Sequence, residues 1–473
     1  MSSPKHPAPH DGWAGLRLLI IRLHFYIGLF VAPFIFFAAL TGTAYVLAPQ
    51  IETALYHDTL FTTTTGTPQP LSAQAAAARA FIGPEPRLFS LRPAPAAGQT
   101  SRVMFTQPGL PDSETRTVFV DPVTLAVHGE LRTYGTSGVL PLRLMLDYLH
   151  RHGLLGDLGR NYSELAASWL WVAVISGVVL WSWTRRSTNH RPVRRLHSLI
   201  GLWCAIGLLF LSVTGLTWSK WAGDHIDALR GTLGWVTPSV STTLTVQSPV
   251  STTLTAPASA PAPAVAGDHA DHAGQHAGGQ GMPMTAPQVP RDPLDLLDPV
   301  LAAAQAGGID SPKVEVRPAK TASLAWVVRE YDRSWPTQVD TVAIDPATLT
   351  ITSRADFATF PLVAKLVRWG IDTHMGVLFG VPNQLLMAAL GIGLMVMIAY
   401  GYRLWWLRRP PAGAPARVLL AAWARLGGVQ KLLCGLIALV LGWALPVLGA
   451  SLLAFLLIDA VRWWRSARRR VAA

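Results

Sequence analysis

Apolar residues in this chain fall in long unbroken runs. Those from Leu23 to Leu47, Leu165 to Trp183, Leu196 to Trp218 and Pro382 to Trp406 each approach or exceed the roughly 20 residues that a bilayer-crossing helix needs. They predict spans over residues 23–48, 160–184, 196–221 and 382–407. A fifth run, Leu432 to Ile458, is broken at Ala444-Leu445-Pro446 and predicts two short helices in a hairpin over 429–461. The first run is too long for a cleavable signal, and its Pro33 and aromatic residues suit a retained anchor. Two long polar stretches, 49–140 and 222–360, separate the spans. Each predicts a small α+β domain, with helices over Ser72–Phe81 and Asp295–Ala306. Strands at Val118–Val120 and Val342–Ile344 enter Asp-Pro-x-Thr turns. Short amphipathic stretches, 141–159 and 361–381, lead into the second and fourth spans as interfacial helices. Residues 237–290, rich in Thr, Pro, Ala and Gly, read as a disordered insert.

Charge gives the spans a direction. Arginines crowd residues 1–22, 185–195, 408–428 and 462–473, and with six spans all four segments fall on one side. The positive-inside rule makes that side cytoplasmic, places both termini there, and puts the two long stretches outside. Half the residues are hydrophobic and only 14% are charged, against about a quarter in soluble domains, which excludes a wholly soluble protein. The net charge of +12 sits beside apolar runs rather than on one amphipathic face, which argues against nucleic acid as a partner. Cys204 and Cys434, the two cysteines, both lie in apolar runs, so a disulfide framework, a thiolate zinc site and covalent haem attachment are excluded.

The chain also repeats itself. Leu23-His24 through Thr41-Gly42 corresponds to Leu196-His197 through Thr214-Gly215. At a second, longer spacing, Val118-Phe119-Val120-Asp121-Pro122-Val123-Thr124-Leu125 corresponds to Val342-Ala343-Ile344-Asp345-Pro346-Ala347-Thr348-Leu349. At that same spacing His150, Gly156, Gly177 and Trp181 match His374, Gly380, Gly401 and Trp405. The repeating unit is a span, an external domain, a histidine-bearing external helix and a span. Two units predict a four-helix core with a pseudo-twofold axis along the membrane normal.

Among fourteen histidines, His24 pairs with His197 and His150 with His374 in this repeat. A straight helix from His374 to Arg408 would be about 50 Å long, whereas the hydrocarbon core is about 30 Å thick. His24 and His197 therefore belong to the inner surface, and His150 and His374 to the outer. Paired imidazoles on facing helices suit bis-imidazole ligation of a non-covalent b-type haem at each surface. Arg22, and Arg194 or Arg195, are placed to meet the inner propionates; Arg143, Arg151 and Arg368 to meet the outer ones. The plainer reading is interfacial histidines that snorkel or cap helices; four repeat-matched positions favour ligation. His152 and His225 are alternative ligands without a histidine counterpart in the repeat. His269, His272 and His276, with Met282 and Met284, form a separate group in the insert, either a secondary metal-collecting tether or a solvated linker.

The Leu-His…Thr-Gly spans, the Asp-Pro-x-Thr-Leu strands and the histidine-bearing external helices resemble the PepSY-associated transmembrane proteins over about residues 15–410. That group includes iron-regulated membrane proteins and inner-membrane ferrisiderophore reductases of the ferrioxamine-utilisation type. The resemblance implies a bacterial inner-membrane protein with two periplasmic PepSY-like domains and two b haems on His24, His197, His150 and His374. It also implies reduction of a ferric siderophore to release Fe(II). No G-x-G-x-x-G or P-loop pattern is present, so the expected electron donor is quinol or a separate reductase. Two rivals differ in class. One is a non-enzymatic membrane anchor or regulator. The other is a periplasmic copper-handling protein using the His/Met insert. A redox-chain component serving other oxidoreductases is a further possibility.

Overall fold

The computed structural model describes residues 12–184, 192–244, 294–409 and 419–471. In chain order its helices are α1 (Gly12–Tyr26), running through a π-helical turn (Ile27–Val31) into α2 (Ala32–Leu55), then α3 (His57–Leu60), α4 (Leu71–Ile82) and α5 (Pro141–His152). There follow α6 (Gly156–Thr184), α7 (Pro192–Thr217), α8 (Trp221–Thr232), α9 (Leu297–Ala306), α10 (Leu362–His374) and α11 (Gly380–Arg408). The last are α12 (Leu419–Ala424), α13 (Gly428–Ala444) and α14 (Pro446–Val471). The chain divides into two units. One comprises residues up to Val46, Leu146–Leu229 and Leu385 onward; the other is Leu47–Met145 with Arg230–Gln384.

The first unit is a helical bundle. Among the described residues, five helices are long and apolar enough to cross a membrane: Trp13–Leu55, Gly156–Thr184, Pro192–Thr217, Gly380–Arg408 and Pro446–Trp464. Their outward residues are apolar and bare, Ile206 at 84% and Trp203 at 82% exposure, as a lipid-solvated surface requires. The first helix starts eleven residues ahead of the apolar run that predicted it: Leu16, Leu18, Leu19, Ile20 and Ile21 extend the apolar pattern, and Gly15 sits inside the helix where it packs against the Arg425 backbone. Pro33 has no N–H for the preceding turn, and the Leu29 carbonyl in that turn accepts the Tyr402 hydroxyl at 3.0 Å. Small residues let the helices approach closely: a Cβ on Gly391 would fall 3.4 Å from the Ala39 carbonyl, and one on Gly207 would strike Leu390.

The hairpin breaks where the sequence places it, with Pro446 opening α14, a position where its missing N–H costs nothing. Its arms are not both short. The first has 17 residues, but the second has 26 and absorbs the arginine-rich tail, expected as a separate cytoplasmic segment, into helix. Buried polar contacts fasten α14 to the bundle: Trp169 Nε1 donates to Ser451 Oγ at 2.8 Å. Asp459, fully buried, accepts the Tyr26 hydroxyl and the Leu420 N–H.

The second unit is built on an antiparallel sheet of β1 (Arg87–Arg92), β2 (Ser101–Thr106), β3 (Glu114–Val120), β4 (Val127–Tyr134), β5 (Val314–Arg317), β6 (Trp326–Glu330), β7 (Thr341–Asp345) and β8 (Thr350–Ala355). The strand order is β4-β3-β2-β1-β5-β6-β7-β8. Two four-stranded meanders thus meet edge to edge, with Leu91 opposite Val316. The two separate external domains expected from sequence are therefore halves of one sheet. Each meander alone would leave a strand edge unpaired, and pairing β1 with β5 removes both edges. α4 and α9 cover one face, packing Leu71, Ala75, Leu297 and Val300 onto Val118, Val316, Trp326 and Val342. The Asp298 carboxylate of α9 accepts the Leu71 and Ser72 N–H groups at the start of α4 (2.7 and 3.0 Å), a capping arrangement supplied from across the sheet's centre.

Both Asp-Pro-x-Thr-Leu segments make the same turn. Asp121 Oδ1 accepts Val123 N–H at 2.8 Å and Asp345 Oδ1 accepts Ala347 N–H at 2.9 Å. Leu125 and Leu349 close the turns at φ 64° and 55°. Around the external helices, Gly156 and Gly380 take φ values of 57° and 60°, a conformation open to glycine without steric cost. These glycines start α6 and α11, ahead of the spans predicted from residues 160 and 382. Residues 241–244, assigned to the disordered insert, are partly ordered: Thr243 bridges Leu324, and Ala325 N–H reaches the Thr242 carbonyl at 2.7 Å. His269, His272, His276, Met282 and Met284 lie outside the described residues, as do Arg185, Arg186, Arg191 and Arg417.

Candidate functional site

His24 on α1 and His197 on α7 face each other inside the bundle, with ring centres 6.5 Å apart and ring planes at 83°. The hydrogen bonds around them fix which nitrogen is free. His197 Nδ1 lies 2.9 Å from the Met397 carbonyl, which can only accept, so Nδ1 carries the proton and Nε2 keeps its lone pair. His24 Nδ1 lies 2.9 Å from Ser176 Oγ. The Ser176 hydroxyl donates to the Ala173 carbonyl at 3.1 Å, so its oxygen accepts from His24. Nε2 of His24 is again the basic nitrogen. Committing one ring nitrogen to a fixed acceptor is how ligating histidines are held.

His150 repeats the pattern at another level. Its Nδ1 lies 3.0 Å from the Ala38 carbonyl and 3.2 Å from Thr41 Oγ1. The Thr41 hydroxyl donates to the Phe37 carbonyl at 2.8 Å, which again leaves Nε2 basic. Burial lowers the His150 pKa, favouring the neutral ring that a metal needs. From His24 to Ala38 and Thr41 is 14 to 17 residues, about 21–26 Å along α1 and α2. The two levels therefore stand near opposite ends of the first span.

A shared seat holds all three rings. Ala38 is followed four residues later by Gly42, Ala173 by Gly177 and Met397 by Gly401. In a helix the side chain at the fourth following residue covers the carbonyl, and glycine leaves it open. The imidazole lies in that opening: a Cβ would meet His150 Cε1 at 3.1 Å on Gly42, His24 Cε1 at 3.2 Å on Gly177 and His197 Cε1 at 3.5 Å on Gly401. The sequence marks these glycines as repeat-matched, but it does not show that they are imidazole seats. Ser176 and the Met397 carbonyl carry no sequence signal at all.

His374 closes α10 in the second unit, while His150 belongs to the first. On the same element as His374, Asp372 is fully buried and accepts Arg333 Nε at 2.5 Å and Arg368 Nε at 3.1 Å. The arginines assigned to propionates need correcting. Arg368 is held by Asp372, Arg143 pairs with Glu52 at 2.7 Å and Arg151 lies 3.8 Å from Asp147, so each already has a carboxylate. Arg194 is three residues from His197 and shares its helix face. Arg22, two residues from His24, points away from it. His152 lies tilted against Tyr148 with ring centres 5.0 Å apart, and its Nδ1 is buried without a hydrogen-bond partner, so it lacks the anchoring of His150. His225 stacks on Trp443 and reaches the Ala444 carbonyl at 3.2 Å, which removes it from the inner pair.

Two imidazoles bound to opposite sides of one metal ion, each about 2 Å from it, have ring centres about 6 Å apart. The His24–His197 separation fits that arrangement. Among the described residues no group of three or more His, Cys, Asp or Glu side chains converges, so the donors this site would offer a metal are the two imidazoles. That set suits an iron whose remaining positions a porphyrin fills.

A helical bundle with several candidate membrane spans and seated imidazoles, together with a sheet domain of two meanders, defines a multi-span membrane protein. The family model described as the PepSY-associated TM region matches residues 21–408, and the chain belongs to that family. The match takes in His24, His150, His197 and His374 and ends with α11; α12 to α14 lie beyond it. Comparison with curated proteins gives no match.

Proposed function

We propose that this protein is a two-haem transmembrane electron carrier that reduces ferric siderophore in the periplasm, with both termini in the cytoplasm and the span bundle in a bacterial inner membrane. The observation that carries the reading is the His24–His197 pair, with rings 6.5 Å apart and both Nδ1 protons committed elsewhere. His24 and His197 hold the inner haem, and His150 is a ligand of the outer. Bound haem supplies one-electron exchange at iron. The chain's residues do the rest. Nδ1–H donation orients each ring and keeps Nε2 unprotonated, the glycine seats bring the helices close, and the apolar bundle excludes water. No catalytic acid or base is needed. A ferric chelate loses its iron on reduction because hard oxygen donors bind Fe(III) more strongly than Fe(II). The donor is quinol or a separate reductase.

The test is the absorption spectrum of detergent-purified protein, made with ample porphyrin supply, before and after dithionite. Narrow split reduced bands of six-coordinate b haem are expected, followed by reoxidation on adding a ferric hydroxamate chelate. Colourless protein points instead to the non-enzymatic anchor. Haem that stays reduced in the presence of the chelate points to a redox-chain component.

The seats give a second test. Gly177→Val places a branched side chain where even a Cβ approaches His24 Cε1 to 3.2 Å, whereas Gly401→Ala adds an atom at 3.5 Å from His197 Cε1, an ordinary contact. Gly177→Val is expected to lose most of one haem and Gly401→Ala to keep it, read as haem per polypeptide.

A further inference from the structure

The inner imidazoles are not held alike, and the difference lies in one hydroxyl. Residues 173 and 397 occupy matched places in the repeat, each four residues ahead of a seat glycine. On α11 the Met397 carbonyl takes the His197 Nδ1–H alone, at 2.9 Å. On α6 the corresponding Ala173 carbonyl is engaged by the Ser176 hydroxyl at 3.1 Å, and Ser176 Oγ accepts from His24 Nδ1 at 2.9 Å. The residue matching Ser176 is Tyr400, which makes no such contact with His197. His24 thus donates into a hydroxyl, while His197 donates directly into a peptide carbonyl.

An acceptor on the far nitrogen raises the basicity of a ligating imidazole, more so as the acceptor strengthens. A peptide carbonyl is a stronger acceptor than a serine hydroxyl. We propose that Ser176 is a positioning residue for the inner site, holding His24 as the less basic of the two imidazoles that would hold the haem, which would favour the reduced iron. This inference rests on the haem reading above. Without the hydroxyl, His24 Nδ1–H would fall to the Ala173 carbonyl, and the two ligands would become alike.

The experiment is a spectroscopic redox titration of the full-length protein in detergent, with electron paramagnetic resonance of the oxidised form, on wild type, Ser176→Ala and Ser176→Thr. The inner component is identified as the one that His24→Ala removes. Ser176→Ala is expected to retain haem, to move the inner g-values, and to shift the inner reduction equilibrium toward the oxidised form by up to about tenfold, 59 mV for one electron. The outer component should not move. Ser176→Thr, which keeps the hydroxyl, should lie within about twofold of wild type, or about 18 mV. If Ser176→Ala loses haem and Ser176→Thr restores it, the positioning role also stands. An inner haem unchanged in Ser176→Ala overturns the inference and leaves the haem reading intact. Loss of haem in both variants assigns Ser176 to packing and likewise overturns it. Wild-type protein without haem overturns the function itself.

Discussion

Alanine at His197 is expected to remove about one haem equivalent of two while leaving the protein folded, and His24→Ala should remove the same equivalent. On the proposed reading the two rings share a single site, so either loss would leave the haem there with one protein ligand. A remaining lone imidazole has no second protein ligand to hold the macrocycle across the helices. The double variant should resemble the single ones, because residues acting as a unit are non-additive. His150→Ala should remove the other equivalent, since its seat on Ala38 and Gly42 is separate from that on Ala173 and Gly177. Pyridine haemochrome analysis against protein concentration measures all four. Retention of both equivalents in His197→Ala would break the proposed ligand assignment. The transmembrane path fails in every one of these variants, so chelate reduction should fall by at least about a hundredfold, a loss of nearly 3 kcal/mol in barrier terms.

The second large effect concerns Glu315 at the middle of the sheet. Its side chain is 1% exposed and contacts Arg92 at 2.6 Å, Arg317 at 2.9 Å and Arg329 at 2.9 Å. Arg92 lies on β1 and Glu315 on β5, so this pair joins the two meanders. Burial by itself would push the Glu315 carboxyl up, but Arg329, Arg92 and Arg317 hold it well below the usual carboxylate range. Glu315→Ala strands buried guanidinium groups, and breaking a buried pair in this way costs about 3–5 kcal/mol, a large part of the 5–15 kcal/mol typical of a domain. Thermal unfolding and limited proteolysis of the sheet unit should both show it. The pH dependence has a definite sign. A depressed carboxylate contributes its full stability above the unfolded value, about 4.3, and loses it as pH falls through the folded value. Wild type should therefore weaken progressively below about pH 4, and Glu315→Gln should be less stable at neutral pH yet flatter in acid.

The spans were legible because a bilayer demands long apolar runs, and the repeat because equal spacing links chemically distinctive residues such as Asp121 and Asp345. Helix ends were less so. Arg17 and Arg22 interrupt the apolar residues ahead of Leu23, yet α1 runs through them, and the arginines after Arg462 continue α14, since helix propensity does not stop at the membrane edge. The sheet's closure was hidden for a different reason. β1 and β5 are more than two hundred residues apart, and nothing in either strand names its partner; Arg92 and Glu315 look like ordinary surface charges until the fold buries them. His24 and His197 could be chosen from sequence, whereas Ser176 could not, because a serine inside a span usually bonds its own helix, and this one does that as well as receiving His24. The arginines went the other way: Arg143 and Arg368 looked available because Glu52 and Asp372 lie far from them, or on an unremarked helix turn.

The edge-to-edge junction between β1 and β5 bears on where such a chain came from. A polypeptide half this length, with one meander, would present a naked strand border that invites adhesion. A second identical molecule, related by a twofold rotation, satisfies that border with its own. The present gene product then reads as a covalent dimer, and fusion freed its halves to diverge, one keeping serine where the other has tyrosine.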